Sequence, residues 1–171
     1  METIQALDRL TPCDTPLPDL EVPMITTIVS CLRNEHRKLD ILNLRLAFAA
    51  TGLARDPEAL TAKQRAFEVW GEIRHVLWSH LQIENGLVLS WGNEHHAISD
   101  TLLDVLKVDF EQLRSAVALL PDASLDEDSA PGDGSTVAEK LLAVTHALDS
   151  HLERYEGEIL PSILRAVFHS V

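Results

Sequence analysis

Apolar residues return every three or four positions along almost the whole chain, and that period predicts helices. From about Met24 to Ala54 the stripe is Ile25, Ile28, Leu32, Leu39, Leu42 and Leu46, closed by Gly52 and Pro57. A second helix, from about Glu58 to Trp91, carries Trp70, Ile73, Leu77, Leu87 and Trp91 and ends at Gly92. A third, from about Asn93 to Leu120, is marked by Ile98, Leu102, Val105, Leu113 and Leu120, with Pro121 after it. Asp122 to Ser135, rich in Asp, Ser, Gly and Pro, reads as a loop. The fourth helix runs from about Thr136 to Phe168, bent near Gly157 and Pro161. No β-period stretch competes with these helices. Four long helices joined mostly by short connections predict an all-α, up-down-up-down four-helix bundle over residues 24–171. Ahead of it, Pro12, Pro16, Pro18 and Pro23 are incompatible with helix, so residues 1–23 are expected to form an extended N-terminal arm lying over the bundle.

Composition narrows the partners. The 171 residues, 46% of them hydrophobic, suffice for one domain with a substantial core. A formal net charge of -13 argues against nucleic acid and against an anionic membrane, both of which reward basic patches. Cys13 and Cys31 are too few for a disulfide framework and lack metal-ligand spacing, which favours a reducing compartment. Met1 to Leu20 carries Glu2, Asp8, Asp14 and Asp19 and no apolar core of signal length, and no apolar run is long enough to span a bilayer. A cytoplasmic protein is the expectation; the pattern specifies no oligomeric state.

The candidate chemistry lies in a repeat. Asn34-Glu35-His36 is followed by His80 and Glu84; Asn93-Glu94-His95 is followed by His151, Tyr155 and Glu156. Aligned without a gap, His75 to Gly86 match His146 to Gly157 at His75 and His146, Leu77 and Leu148, Ser79 and Ser150, His80 and His151, Leu81 and Leu152, and Gly86 and Gly157. Such matching is the mark of a duplicated helical unit. His36 falls four after Leu32, His80 three after Leu77, His95 three before Ile98 and His151 three after Leu148, so each is expected to project into the bundle interior. One buried histidine reads as a satisfied core residue. Four, one on each predicted helix, would leave several imidazole nitrogens unsatisfied at about 1–3 kcal/mol each, and a shared metal removes that cost.

Glu84 comes four residues after His80, so the two side chains lie about 40° apart on one helical face and can hold the same centre. A carboxylate buried among histidines needs a cation. In the second unit the equivalent position is Tyr155, on the interior stripe with Leu148 and Ile159. Glu156 lies about 140° around from His151 on an ideal helix, so it reaches the site only if Gly157 and Pro161 reorient the helix. Imidazole and carboxylate donors without thiolate select iron, manganese or zinc. His75 and His146 turn off the core stripe, His96 points about 100° from His95 and faces the surface, and His169 is terminal. Trp70 and Trp91 read as core.

Taken as a set, His36, His80 with Glu84, His95, and His151 with a following acid make the chain resemble the hemerythrin-like, or HHE cation-binding, family from about Met24 to Phe168. That resemblance implies a four-helix bundle around a non-haem di-iron centre with an oxo or hydroxo bridge. It implies Glu84 as a bridge between the irons and His36, His80, His95 and His151 as terminal ligands. Glu156, five after His151, matches the oxygen-carrier spacing of the second bridging acid. The chain departs from the family pattern twice: Ser99 stands where oxygen carriers place a second helix-three histidine, and Tyr155 stands where other HHE repeats place glutamate. Fewer imidazoles and a phenolate would favour the ferric state. The resemblance thus implies a protein that binds or reacts with oxygen, peroxide or nitric oxide, with a peroxide- or nitric-oxide-consuming enzyme as one form of it. The rival readings are a non-catalytic sensor or storage protein using the same metal and a metal-free helical interaction module.

Overall fold

The structure, a computed structural model, describes residues 22–120 and 134–169, which are helical with no strand among them. The expected N-terminal arm and most of the Asp122–Ser135 loop lie outside the described residues. Helix α1 spans Val22–Arg55, and α2 spans Leu60–Glu84 and runs straight on as a π-helical stretch, Asn85–Gly92. Then come α3, Asp100–Ala118, and α4, Gly134–Arg154, which passes through a π-helical turn, Tyr155–Ile159, into α5, Leu160–His169. The first helix therefore begins slightly before its apolar stripe, at Val22, because Pro23 falls in the first turn, where its missing N–H leaves no helical bond unmade.

The third helix starts at Asp100, not at Asn93. Ser99 is in extended conformation and its hydroxyl accepts from the Leu102 N–H, which makes it the N-cap, and Asp100 places a negative charge against the helix dipole. Asn93 and Glu94 prolong the second helix, and residues 95–99 form a connector. The Ala97 N–H returns to the Gly92 carbonyl, and His96 adopts a left-handed backbone with φ of 51°. That conformation interrupts the helix before α3 begins.

Helix α1 packs against both α2 and α4, and α4 also packs against α3. The interior divides into two apolar clusters. One holds Leu39, Leu46, Leu53, Trp70, Ile73, Leu77, Leu81, Leu113, Leu141, Leu148 and Leu152. The other holds Ile25, Leu32, Trp91, Ile98, Leu106, Tyr155, Ile159 and Ile163. Each fully buried aliphatic side chain contributes roughly 1.5–3 kcal/mol, so the clusters lock the helices in register. Between them, where α1 passes from Leu32 to Leu39 and α4 from Leu152 into the π-helical turn, sits a layer of buried polar side chains: His36, His80, Glu84 and His151. At the far end, a Cβ on Gly134 would collide with the Pro57 carbonyl oxygen, so α4 begins hard against the connection between α1 and α2.

Candidate metal centre

Each element brings a small part of the polar layer. The carboxylate of Glu84 is fully buried at its middle. Its Oε1 faces Nε2 of His36 from α1 at 3.1 Å and Nε2 of His80 from its own helix at 2.9 Å. Its Oε2 faces Nε2 of His151 from α4, also at 2.9 Å. Donor atoms of His36, His80 and Glu84 all lie within 4.8 Å of one another. Tyr155, fully buried, tilts against His151 with ring centroids 4.6 Å apart and stands edge-on to His36 at 6.0 Å. Phe110 of α3 stands edge-on to His151 and Tyr155 at 5.5 and 6.5 Å and seals the layer on that side with an apolar ring.

The outward nitrogens of two imidazoles are already engaged. Nδ1 of His36 lies 2.7 Å from Glu156 Oε1, and Nδ1 of His80 lies 3.1 Å from Glu35 Oε2. An imidazole that donates its Nδ1–H to a carboxylate presents a lone pair at Nε2. Both Nε2 lone pairs then point at Glu84 Oε1, itself an acceptor. Three acceptors converge on a volume from which water is excluded, and only added protons or a cation can hold them together. His80 Nε2 has no hydrogen bond despite its 2.9 Å approach to Glu84, and His151 Nδ1 and the Tyr155 hydroxyl also lack partners.

Without a cation, protons must carry the balance. Burial by itself would raise the Glu84 carboxyl, but the charges of His151 and His80, with hydrogen bonds from His151 and His36, hold it well below the usual carboxylate range. Burial pulls His80 down, and Glu84 and then Glu35 outweigh it, so the group ends raised. Tyr155 is pushed well above its ordinary range by burial and by the negative charges of Glu84 and Asp109. Unsatisfied nitrogen and oxygen donors around a buried carboxylate suit a metal ion.

The model of one protein family, the hemerythrin HHE cation-binding domain, matches residues 27–163. The chain belongs to that family. No curated protein and no solved structure matches it. Within this hemerythrin domain, the residues singled out from sequence separate into three groups. His36, His80, Glu84, His151 and Tyr155 come together in the polar layer. Glu156 arrives from the side: it is 40% exposed, bonds His36 at the outward nitrogen and lies 3.5 Å from the Arg33 guanidinium. The π-helical turn over Tyr155–Ile159 supplies the reorientation that Glu156 needed, within reach of Gly157 and Pro161, yet aims it at His36 and not at Glu84.

His95 stays out of the layer, contrary to the expectation that it projects inward. It is exposed, its ring is stacked on Trp91 with centroids 4.5 Å apart, and its Nδ1 bonds the Trp91 carbonyl at 3.0 Å. The left-handed backbone at His96 is the reason: His95 closes the second helix through its bond to the Trp91 carbonyl, and no helical period relates it to Ile98 and α3. His75, His146 and His96 are exposed, as their positions off the stripes suggest, and Trp70 and Trp91 are core.

Two residues that bear on the polar layer carry no ligand spacing in the sequence. Glu35 reaches across from α1 to His80, and its signal was the Asn-Glu-His triplet itself, in which only the histidine looked chemical. Asp109, nearly buried in α3, pairs with Arg154 beside Tyr155. Nothing in its sequence neighbourhood distinguishes it from a solvated acid.

Proposed function

We propose that this chain is a non-haem iron protein whose buried centre binds or reacts with oxygen, peroxide or nitric oxide. The observation that carries the reading is the convergence of lone pairs on Glu84, two imidazole nitrogens at one of its oxygens and a third imidazole at the other. In this reading α1, α2, α3 and α4 form an up-down-up-down bundle in a cytoplasmic protein. The short link from α1 to α2 supports that topology. So do the contacts: His36 meets Glu84 while Arg45 meets Glu72, and Asn43 meets Asp149 while His36 meets Glu156, so partners recede along α2 and α4 as α1 advances. No helix among the described residues is long and apolar enough to cross a membrane.

Glu84 is the residue able to serve two ions, one at each oxygen. His36 and His80 would hold the ion on the Oε1 side, and His151 with Tyr155 the ion on the Oε2 side. Iron bound there supplies one-electron redox chemistry toward small diatomic or peroxidic ligands. The chain's own contribution is arrangement. Glu35 and Glu156 fix the faces of two imidazoles, Glu84 supplies the negative charge that keeps the ions, and Phe110 excludes water from the side facing α3. Tyr155, whose ring lies against His151 and whose hydroxyl has no partner, would as a phenolate favour the ferric state, which supports consumption of peroxide or nitric oxide over reversible oxygen carriage.

The test is elemental analysis with visible spectroscopy of protein reconstituted with ferrous iron and then oxidised. Iron bound by the parent, with a charge-transfer band that vanishes in Tyr155→Phe, is the expected result. No bound iron in a folded chain would sink the reading, and a reversible oxygen adduct indifferent to Tyr155→Phe would return the protein to the carrier class.

A further inference from the structure

The two sides of Glu84 are not equally furnished. On the Oε1 side stand two imidazoles from two helices, and each has its outward nitrogen tied to a carboxylate, Glu156 for His36 and Glu35 for His80. On the Oε2 side stands one imidazole, His151, whose Nδ1 has no partner, beside the unpartnered hydroxyl of Tyr155. The helix that faces this second side adds no donor. At this level α3 offers Leu106, Asp109 and Phe110: the first and last are apolar, and Asp109 is held in an ion pair with Arg154. His95, the remaining histidine ahead of α3, is turned outward onto Trp91.

We propose that the centre is a graded pair of metal positions, one firmly held ion at His36, His80 and Glu84 Oε1, and a second, weakly held ion at His151, Tyr155 and Glu84 Oε2. The inference rests on the metal-binding reading above and goes beyond it by ranking the two positions. An outer carboxylate orients an imidazole, fixes which nitrogen is free and raises its basicity, and losing such a partner typically weakens metal affinity by about 10–100-fold. The first position has two such partners. The second has none: the outward nitrogen of His151 is unpartnered, and its other donor is a phenol, which gives up a proton when it binds a cation. In this arrangement Glu35 and Glu156 are positioning residues: each acts on the ion only through the imidazole it holds.

Titration of the metal-free chain with Co²⁺, read by its visible absorption and by competition with a chelator, tests the ranking without any turnover. Two separate steps are expected, the first at least about tenfold tighter than the second. Glu35→Gln and Glu156→Gln should each weaken the first step by about tenfold or more. His95→Ala should change neither step. His151→Ala should abolish the second step and leave the first standing, and if that variant fails to fold, Tyr155→Phe, which keeps the ring, should weaken the second step alone. Two equal steps, or a first step that survives both glutamine substitutions unchanged, would overturn the graded pair while leaving the metal reading intact. A folded parent chain that binds no Co²⁺ at all would overturn both.

Discussion

Replacing Glu84 by glutamine removes one negative charge from the middle of the polar layer while keeping the side chain's volume, so no cavity confuses the result. In the metal-free protein, the carboxylate accepts from His36 at 3.1 Å and from His151 at 2.9 Å and lies 2.9 Å from His80, all of them buried. Removing one partner of a buried ion pair costs about 3–5 kcal/mol. The imidazoles can escape part of that by releasing protons, so a loss of about 3 kcal/mol is the sensible figure. For a chain of this size each kcal/mol moves the melting temperature by about 2–4 °C, and Glu84→Gln should melt roughly 6–12 °C below the parent in chelator. Saturating ferrous iron should widen the gap. A ligand held at a thousand times its dissociation constant adds about 4 kcal/mol to the parent, and the variant forgoes most of it. Far-ultraviolet circular dichroism melts, in chelator and in anaerobic iron, give both numbers. A metal-free gap under about 2 °C, or a gap that iron leaves unchanged, would refute the reasoning.

Acidity should reshape the same melts. Without metal, Glu84 is held well below its ordinary 4.5, so its contribution is complete above that value and is lost as pH falls through the folded one; His80 is raised above its ordinary 6.5, so its contribution is complete below 6.5 and is lost as pH rises through the folded value. The metal-free melting temperature should therefore peak between these values and fall on both sides, whereas the iron-loaded protein should release metal as pH drops, because protons compete for its ligands; a metal-free profile flat from about pH 5 to 8 would contradict this. Asp109→Asn should cost about 1–2 kcal/mol in urea unfolding by stranding Arg154, a figure reduced because Arg154 is 30% exposed. Gly134→Ala should cost about 1–3 kcal/mol through the contact with Pro57, while Gly52→Ala, where an added Cβ meets nothing, should gain about 0.5–1 kcal/mol; equal effects at the two glycines would be inconsistent with the packing described.

How much of this could be read from the chain alone depends on which force fixed each residue. The stripe residues were legible because burial sets their period: Leu32, Leu39, Leu77 and Leu148 are all buried, and the histidines in phase with them, His36, His80 and His151, follow them inward. The period carried Tyr155 as well. It failed at His95, since a three-residue offset from Ile98 means nothing once the left-handed backbone at His96 breaks the helix between them and the Ser99 cap starts the next one. That cap looked like a missing ligand in the sequence, and its role is visible only from the backbone. Glu156 fell between the two cases, because its direction depends on a π-helical turn whose presence no side-chain period announces. Glu35 and Asp109 were hidden for another reason: their partners, His80 and Arg154, are far away in sequence, and the pairing exists only once helices are side by side.

The π-helical turn has a consequence for how this chain can change over time. A π turn accommodates one more residue than an α turn, and the two halves of the repeat each carry such a stretch just after the shared His-Leu pair, with Gly86 and Gly157 inside them at matching places. Deleting a single residue between Tyr155 and Ile159 would remove that extra residue, restore ordinary helix and leave everything beyond it close to its present bearing. Ile163 and Val167 would keep their places on the second apolar cluster, and the change would fall on how Glu156 is aimed at His36. The bearing of the last ten residues thus tolerates the loss of one residue in that stretch, and the aim of Glu156 does not. In lineages of this sequence, a one-residue deletion through that stretch would be felt at the polar layer and not in the packing of the last helix.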